Sequence, residues 1–271
     1  MKKIRRSLAV GLGLCVLAPL VAPASLGASP AIDPVPLAAR DWLVAQQQAD
    51  GSFELSGFPG FETPDAIFGL ASQTQQFPTW DTGAAALAIA ALGAEGNAPL
   101  DAIDDLVDDD PEPMSVAAGA RAAKLISLVT APLGIEPTTF DPSEDSEVPV
   151  DLVARMNQHR NEDGSYNFGA QFNGVLFAAI ALDSIGAEVP AALVTQIKAA
   201  QRSDGSWDYT GGQEGPGDDI DTTSIALLAL RSAGLGLDDG SIDAAVRFLA
   251  SRQQPSGAWL SFGSGDPNST S

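Results

Sequence analysis

The sequence predicts an all-α fold of repeated helix pairs, an α/α toroid or an open two-layer helical arc. Three observations carry this expectation. A turn motif ending in an aromatic residue recurs four times, each copy closes a helix with an apolar stripe, and each is followed by a helix that is apolar all round. A striped helix faces water on one side, whereas a uniformly apolar one must be covered on every side, so the alternation predicts an outer and an inner layer.

The turn motifs align without gaps as Gln47-Gln-Ala-Asp-Gly-Ser-Phe53, Arg160-Asn-Glu-Asp-Gly-Ser-Tyr166, Gln201-Arg-Ser-Asp-Gly-Ser-Trp207 and Gln253-Gln-Pro-Ser-Gly-Ala-Trp259. Four residues before them stand Leu43, Met156, Ile197 and Leu249, the buried stripe of each outer helix. In the last outer helix Ile242, Ala245, Val246 and Leu249 share one side, and Asp243, Arg247 and Ser251 the other. Inner helices are announced by Asp81, Asn173, Asp221 and Asp266, whose short side chains accept bonds from the free N–H groups of a helix start. The apolar runs are Ala84 to Leu92, Val175 to Leu182 and Ile225 to Leu230, stopped by Gly93, Gly186 and Gly234, since glycine supplies the left-handed conformation of a helix end. The first interval between motifs is more than twice either of the others, so a degenerate repeat fills it. Its outer and inner helices are Leu100 to Val107 and Ser115 to Thr130, with Asp108-Asp-Asp-Pro-Glu-Pro113 in place of the aromatic turn.

Residues 1–24 read as a secretory signal peptide. Lys2, Lys3, Arg5 and Arg6 precede an apolar run from Leu8 to Leu20 and the Ala22-Pro23-Ala24 cleavage pattern, with Ala28 allowing cleavage as late as residue 31. The single cysteine, Cys15, lies in that run after Leu14, where a lipoprotein signal requires a small residue. No later stretch reads as membrane-spanning, so the mature chain is expected to be extracytoplasmic with no stable membrane insertion. Residues 36–271 form one domain by the repeat pattern. Gly265-Asp-Pro-Asn-Ser-Thr-Ser271 provides a helix start and no helix, so the ring is expected to be truncated at the C-terminus and the last outer helix to expose an apolar face.

The chain carries 14 basic and 35 acidic residues, a net charge of −21. Phosphate backbones and anionic lipids are displaced from their counterions by clustered Lys and Arg, so nucleic acid and membrane surfaces are excluded as partners.

The turns at Gln201 to Trp207 and Gln253 to Trp259 resemble the QW-type repeats of squalene and terpene cyclases, and the helix pairing resembles the prenyltransferase and cyclase toroid over roughly residues 36–271. The resemblance implies the toroid fold, which serves several activities. Protein prenyltransferases and lanthionine cyclases hold zinc through Cys and His, and thioester domains need a Cys. With Cys15 in the signal segment and His159 the only histidine, none of these fits, and no metal or other cofactor is expected. Toroid polysaccharide lyases use Tyr, His and basic residues, whereas here His159 precedes a turn on what reads as a solvated side of its helix.

Cyclases of the family carry a D-x-D-D-T proton-donor motif at an inner-helix start. This chain reads Asp219-Ile220-Asp221-Thr222-Thr223, matching two of the three acids at Asp219 and Asp221 and placing Thr222 at the third. Without paired carboxylates the donor is harder to keep acidic, and the expected role of Asp221 is a helix cap with Asp219 adding favourable charge. Catalysis by Asp219 and Asp221 is the alternative.

Most of the aromatic residues fall in the four outer-to-inner loops, which share one end of a toroid. Phe53, Tyr166, Trp207 and Trp259 are expected to wedge between repeats. Phe58, Phe61, Trp80, Tyr209 and Phe262 exceed that need and, with Asp218 and Asp219, form the candidate ligand-binding mouth. Arg121 and Lys124, three apart on a small-residue helix, read as a solvated face, with an anion-holding cavity as the other possibility. The sequence thus predicts a secreted, non-catalytic module that binds a small molecule, a glycan or a surface protein at this mouth. A terpene cyclase is the alternative, and a structural spacer of a cell-surface protein the second alternative.

Overall fold

The computed structural model describes residues 40–54, 60–75, 79–93, 98–144, 146–213, 219–261 and 264–265. The signal segment, Phe58, Asp218, Phe262 and Asp266 lie outside them. About half of the described residues are helical and the rest are almost all turns and loops, as expected of an all-α chain. A helical turn at 40–44 is followed by α1 (Thr63–Ser72), α2 (Thr82–Ala90), α3 (Pro99–Asp108), α4 (Val116–Leu125), α5 (Ala131–Leu133), α6 (Leu152–Asn157), α7 (Phe172–Ser184), α8 (Ala191–Ala199), α9 (Ile220–Ser232) and α10 (Gly240–Arg252). A π-helical turn, Ile126–Thr130, joins α4 to α5, and a two-residue hairpin pairs β1 (Leu260–Ser261) with β2 (Ser264–Gly265).

The repeated motif is a local hydrogen-bond unit. Asp50, Asp163 and Asp204 each accept the backbone N–H and the hydroxyl of the serine two residues on, at 2.6–3.1 Å. Gln47, Gln201 and Gln253 each donate Nε2–H to the carbonyl of the glycine four residues on. Gly205 has φ +94, and a Cβ there would lie 2.4 Å from the carbonyl oxygen of Ala244, so the turn also needs glycine to let α10 approach. The turn then drives its aromatic inward. Phe53, Tyr166 and Trp207 are buried, and the indole N–H groups of Trp207 and Trp259 donate to the carbonyls of Ile197 and Leu249 at 2.7 and 2.8 Å. Trp259 is only partly buried.

Four helices stand in a row with their starts together. Gly60, just before α1, adjoins Arg121 of α4, and Asp65 pairs with Lys124. Gly174 of α7 meets Ala120 of α4, and Thr222 of α9 donates to Asn173 of α7 at 3.2 Å. The row is therefore α1, α4, α7 and α9. The run Val175 to Leu182 of α7 is apolar all round and buried, Ile180 partly, as predicted. Gly134, Gly186 and Gly234 end α5, α7 and α9 at positive φ. In each, the N–H one residue later reaches the carbonyl five back (Ile135 to Thr130, Ala187 to Leu182, Leu235 to Leu230), closing the helix end.

The structure corrects several expectations. In the first repeat the row position belongs to α1, not to the run Ala84 to Leu92. Thr63 accepts the backbone N–H of Phe53 at 3.0 Å just as Thr223 accepts that of Trp207 at 3.1 Å, so α1 and α9 are equivalent. The run at α2 instead begins against the end of α4–α5, with Thr82 beside Gly134, and Leu87 is 74% exposed. Uniform apolarity did not mean burial there, because α2 lacks a neighbour on that side among the described residues. Helix starts also shift. Asp81 caps α2 by accepting from Ala84, but α9 is capped by Asp219 rather than Asp221, and Asn173 lies inside α7. In α10 the buried residues are Ile242, Ala245 and Phe248, while Val246 is exposed.

One later stretch, Val116–Leu133, has the length and apolarity of a membrane span, which buried core helices also have, and 61% of it is buried within the protein. His159 is likewise not on a solvated face, since its Nε2 is buried against Gly119 and its ring lies 5.6 Å from Phe168.

Candidate functional site

At the end of the row where α1, α4, α7 and α9 begin, two aromatic side chains stand in water. Phe61 is 55% exposed and Tyr209 is 51% exposed, and both are held from below. Lys124 Nζ lies 2.6 Å from the carbonyl oxygen of Phe61, 2.6 Å from Asp65 Oδ2 and 4.6 Å from the centre of the Phe61 ring, with the Phe177 ring at 5.7 Å. An ammonium over a ring face is attracted by the ring's negative quadrupole, so this lysine fixes both the backbone and the side chain of Phe61.

Glu54 organises the same turn. Its carboxylate accepts the N–H groups of Gly60, Phe61, Glu62 and Thr63, at 2.9–3.2 Å, and the Thr63 hydroxyl at 2.5 Å. Burial pushes the Glu54 carboxyl up, but bonds involving the Glu62 side chain and Thr63 outweigh it and hold the group below the ordinary glutamate range.

Tyr209 is fixed through Asp219. One carboxylate oxygen of Asp219 accepts the N–H of Thr222 at 2.8 Å, capping α9, and the other accepts the N–H of Tyr209 at 3.0 Å. Asp208, itself buried, turns the loop by accepting both donors of Thr210, and Gly211 lies on the Phe172 ring at the start of α7. Asn173 Oδ1 and Thr222 join α7 to α9 beside it.

Of the residues singled out from the sequence, Phe61, Tyr209 and Asp219 stand at this end. Asp221 is in the first turn of α9, one residue beyond the N1 position, and is half-buried. Trp80 is elsewhere. Its indole donates to the carbonyl of Pro132, at the opposite end of α4–α5, and its ring stacks on Phe68 at 5.6 Å. It left the mouth because it precedes α2, which does not belong to the row. Phe58, Asp218 and Phe262 lie outside the described residues.

Arg121 and Lys124 prove to be paired rather than solvated. Arg121 bonds Asp110 at 3.2 Å and Lys124 bonds Asp65. Sequence reasoning missed Asp65 and Phe177, which depart from no local pattern, and read Asn173 only as a helix start. Lys124 did give a signal, as one of the few lysines in the chain. Among the described residues no group of three or more His, Cys, Asp or Glu side chains could hold a metal ion.

No protein-family model matches the chain, and no curated protein does. It is similar to a solved structure of a protein from Actinoplanes, at 19% identity and a TM-score of 0.40, covering 83% of this chain. The chain spans 66% of the length of that protein. A likeness of this size carries no functional inference.

Proposed function

We propose that this chain is a secreted, non-catalytic binding module that takes a glycan at the helix-start end, on a two-layer helical arc of the toroid type. The observation that carries the reading is that two half-exposed aromatics stand at this end, Phe61 beside α1 and Tyr209 before α9, their backbones held by Lys124 and Asp219. An aromatic side chain has few torsions to lose on binding, and a pyranose offers it an apolar face while its hydroxyls need polar partners nearby. Asp65, through Lys124, and Asp219 place carboxylates at the backbones of Phe61 and Tyr209. The absence of clustered basic residues in so acidic a chain disfavours a phosphorylated ligand.

The resemblance to terpene cyclases supports the alternative less well. A proton donor at Asp219 would have to surrender one of its two backbone N–H bonds whenever it carried the proton.

A soluble polysaccharide panel probed with the mature protein tests the reading. An aromatic contact is worth about 0.5–1.5 kcal/mol beyond burial, so Phe61→Ala and Tyr209→Ala should each weaken binding about tenfold while leaving the melting temperature nearly unchanged. Binding that survives both substitutions would place the ligand elsewhere. No binding to any glycan, with a cyclised product formed from squalene, would favour the cyclase, and neither outcome would favour a spacer.

A further inference from the structure

A cavity of about 540 Å³ opens at the opposite end of the row, where α4–α5 and α7 finish. That volume lies within the range of sites for small molecules. Ile135, Val153 and Ile185 form its apolar wall, and Thr130, Ser184, Thr138 and Glu136 are its side-chain polar groups.

Each of the three hydroxyls has already given its proton to the protein. Thr130 donates to the carbonyl of Ile126, Ser184 to that of Ala181, and Thr138 to Glu136 Oε1 at 2.7 Å. A hydroxyl whose proton is committed offers only lone pairs, so these side chains face the cavity as acceptors. Glu136 adds the only charge among the lining residues, and its two bonds from Thr138 both fall on Oε1. Those bonds also hold its carboxyl below the ordinary glutamate range, keeping it ionised. The cavity further sits at the C-terminal ends of two helices, where the aligned peptide dipoles favour positive charge. Thr130 closes a π-helical turn, a local form found often at functional sites.

We propose that this cavity binds a small primary alkylammonium ion, its head among Glu136, Thr138 and Ser184 and its chain along Ile135, Val153 and Ile185. An ammonium carries three donors and no acceptor, which is the complement of polar side chains that offer acceptors alone. The proposal is independent of the glycan reading, because the two sites lie at opposite ends of the row.

The test is an amide NMR titration of the ¹⁵N-labelled mature chain with n-pentylammonium chloride at physiological salt, with n-pentanol as the uncharged control. Saturable shifts confined to the Gly134, Thr138 and Ile185 amides are expected, with n-pentanol weaker by about fivefold, the scale of a single exposed charge contact. Glu136→Gln should weaken the amine about fivefold while leaving n-pentanol unchanged, since glutamine Oε1 still accepts both Thr138 bonds. Ala131→Leu, which adds bulk to the cavity wall, should weaken the amine and n-pentanol alike, its amide dispersion reporting that the fold is kept. Equal binding of n-pentanol, an unchanged affinity in Glu136→Gln, shifts scattered over the acidic surface, or no shifts at all would each overturn the proposal.

Discussion

Replacing Asp219 should be the most damaging of the acid substitutions around the α9 start, and the order of the variants follows from the bonds each removes. Asp219→Ala deletes the cap on Thr222, worth about 0.5–2 kcal/mol, and leaves the N–H of Tyr209 without its acceptor, worth about 1 kcal/mol. The loss is about 2 kcal/mol, or roughly 4–8 °C in melting temperature for a domain of this length. Asp219→Asn keeps one oxygen for Thr222 and presents an amide NH₂ to the N–H of Tyr209, so it should lose about 1 kcal/mol. Asp221 lies in the first turn of a helix that is already capped, so Asp221→Asn removes only a favourable charge, about 0.3–1 kcal/mol. Urea unfolding of the three variants, fitted with a common slope, reads the differences directly. A larger loss for Asp221→Asn than for Asp219→Ala would refute the assignment of the cap and the reasoning about Tyr209.

Trp207→Ala should cost about 3–5 kcal/mol because the ring is fully buried, whereas Trp207→Phe should recover more than half of that while leaving the Ile197 carbonyl unpaired, both read by urea midpoints. Asp104 is buried, with Ser143 donating to one oxygen, and burial pushes its carboxyl up from the ordinary aspartate value. The folded state therefore holds its proton more tightly, so the parent should lose stability as pH rises from the unfolded value through the raised folded one. In Asp104→Asn that loss should vanish from a stability profile measured between pH 3 and 7. An identical profile in the variant would refute the shift. Intact-mass measurement of exported protein should find a new N-terminus between Ser25 and Ile32, and Met1 retained on cytoplasmic protein would refute secretion.

The sequence by itself determined the features that depend on neighbours along the chain. The turn motif was legible because its bonds span two or four residues, as from Ser206 to Asp204 or Gln201 to Gly205. The same turn sets the direction of the aromatic that ends it, buried at Phe53, Tyr166 and Trp207 and partly buried at Trp259. The stops at Gly186 and Gly234 were legible for the same reason, since a positive φ is a single-residue requirement. The apolar character of α7 predicted its burial because it has row neighbours on both sides.

Only the tertiary structure decided which helix stands beside which. The run at α2 is as apolar as α7, yet the row position went to α1, whose Thr63 takes the N–H of Phe53. Nothing local distinguishes the two, because burial depends on what covers a face and not on the face alone. The same holds for charge. Asp65 and Lys124 are 59 residues apart in the chain, and their pairing turned Lys124, read as part of a solvated face, into the support beneath Phe61. Trp80 left the mouth and the α4–α5 cavity became a candidate site for the same physical reason, since both depend on the ends at which packed helices start and stop.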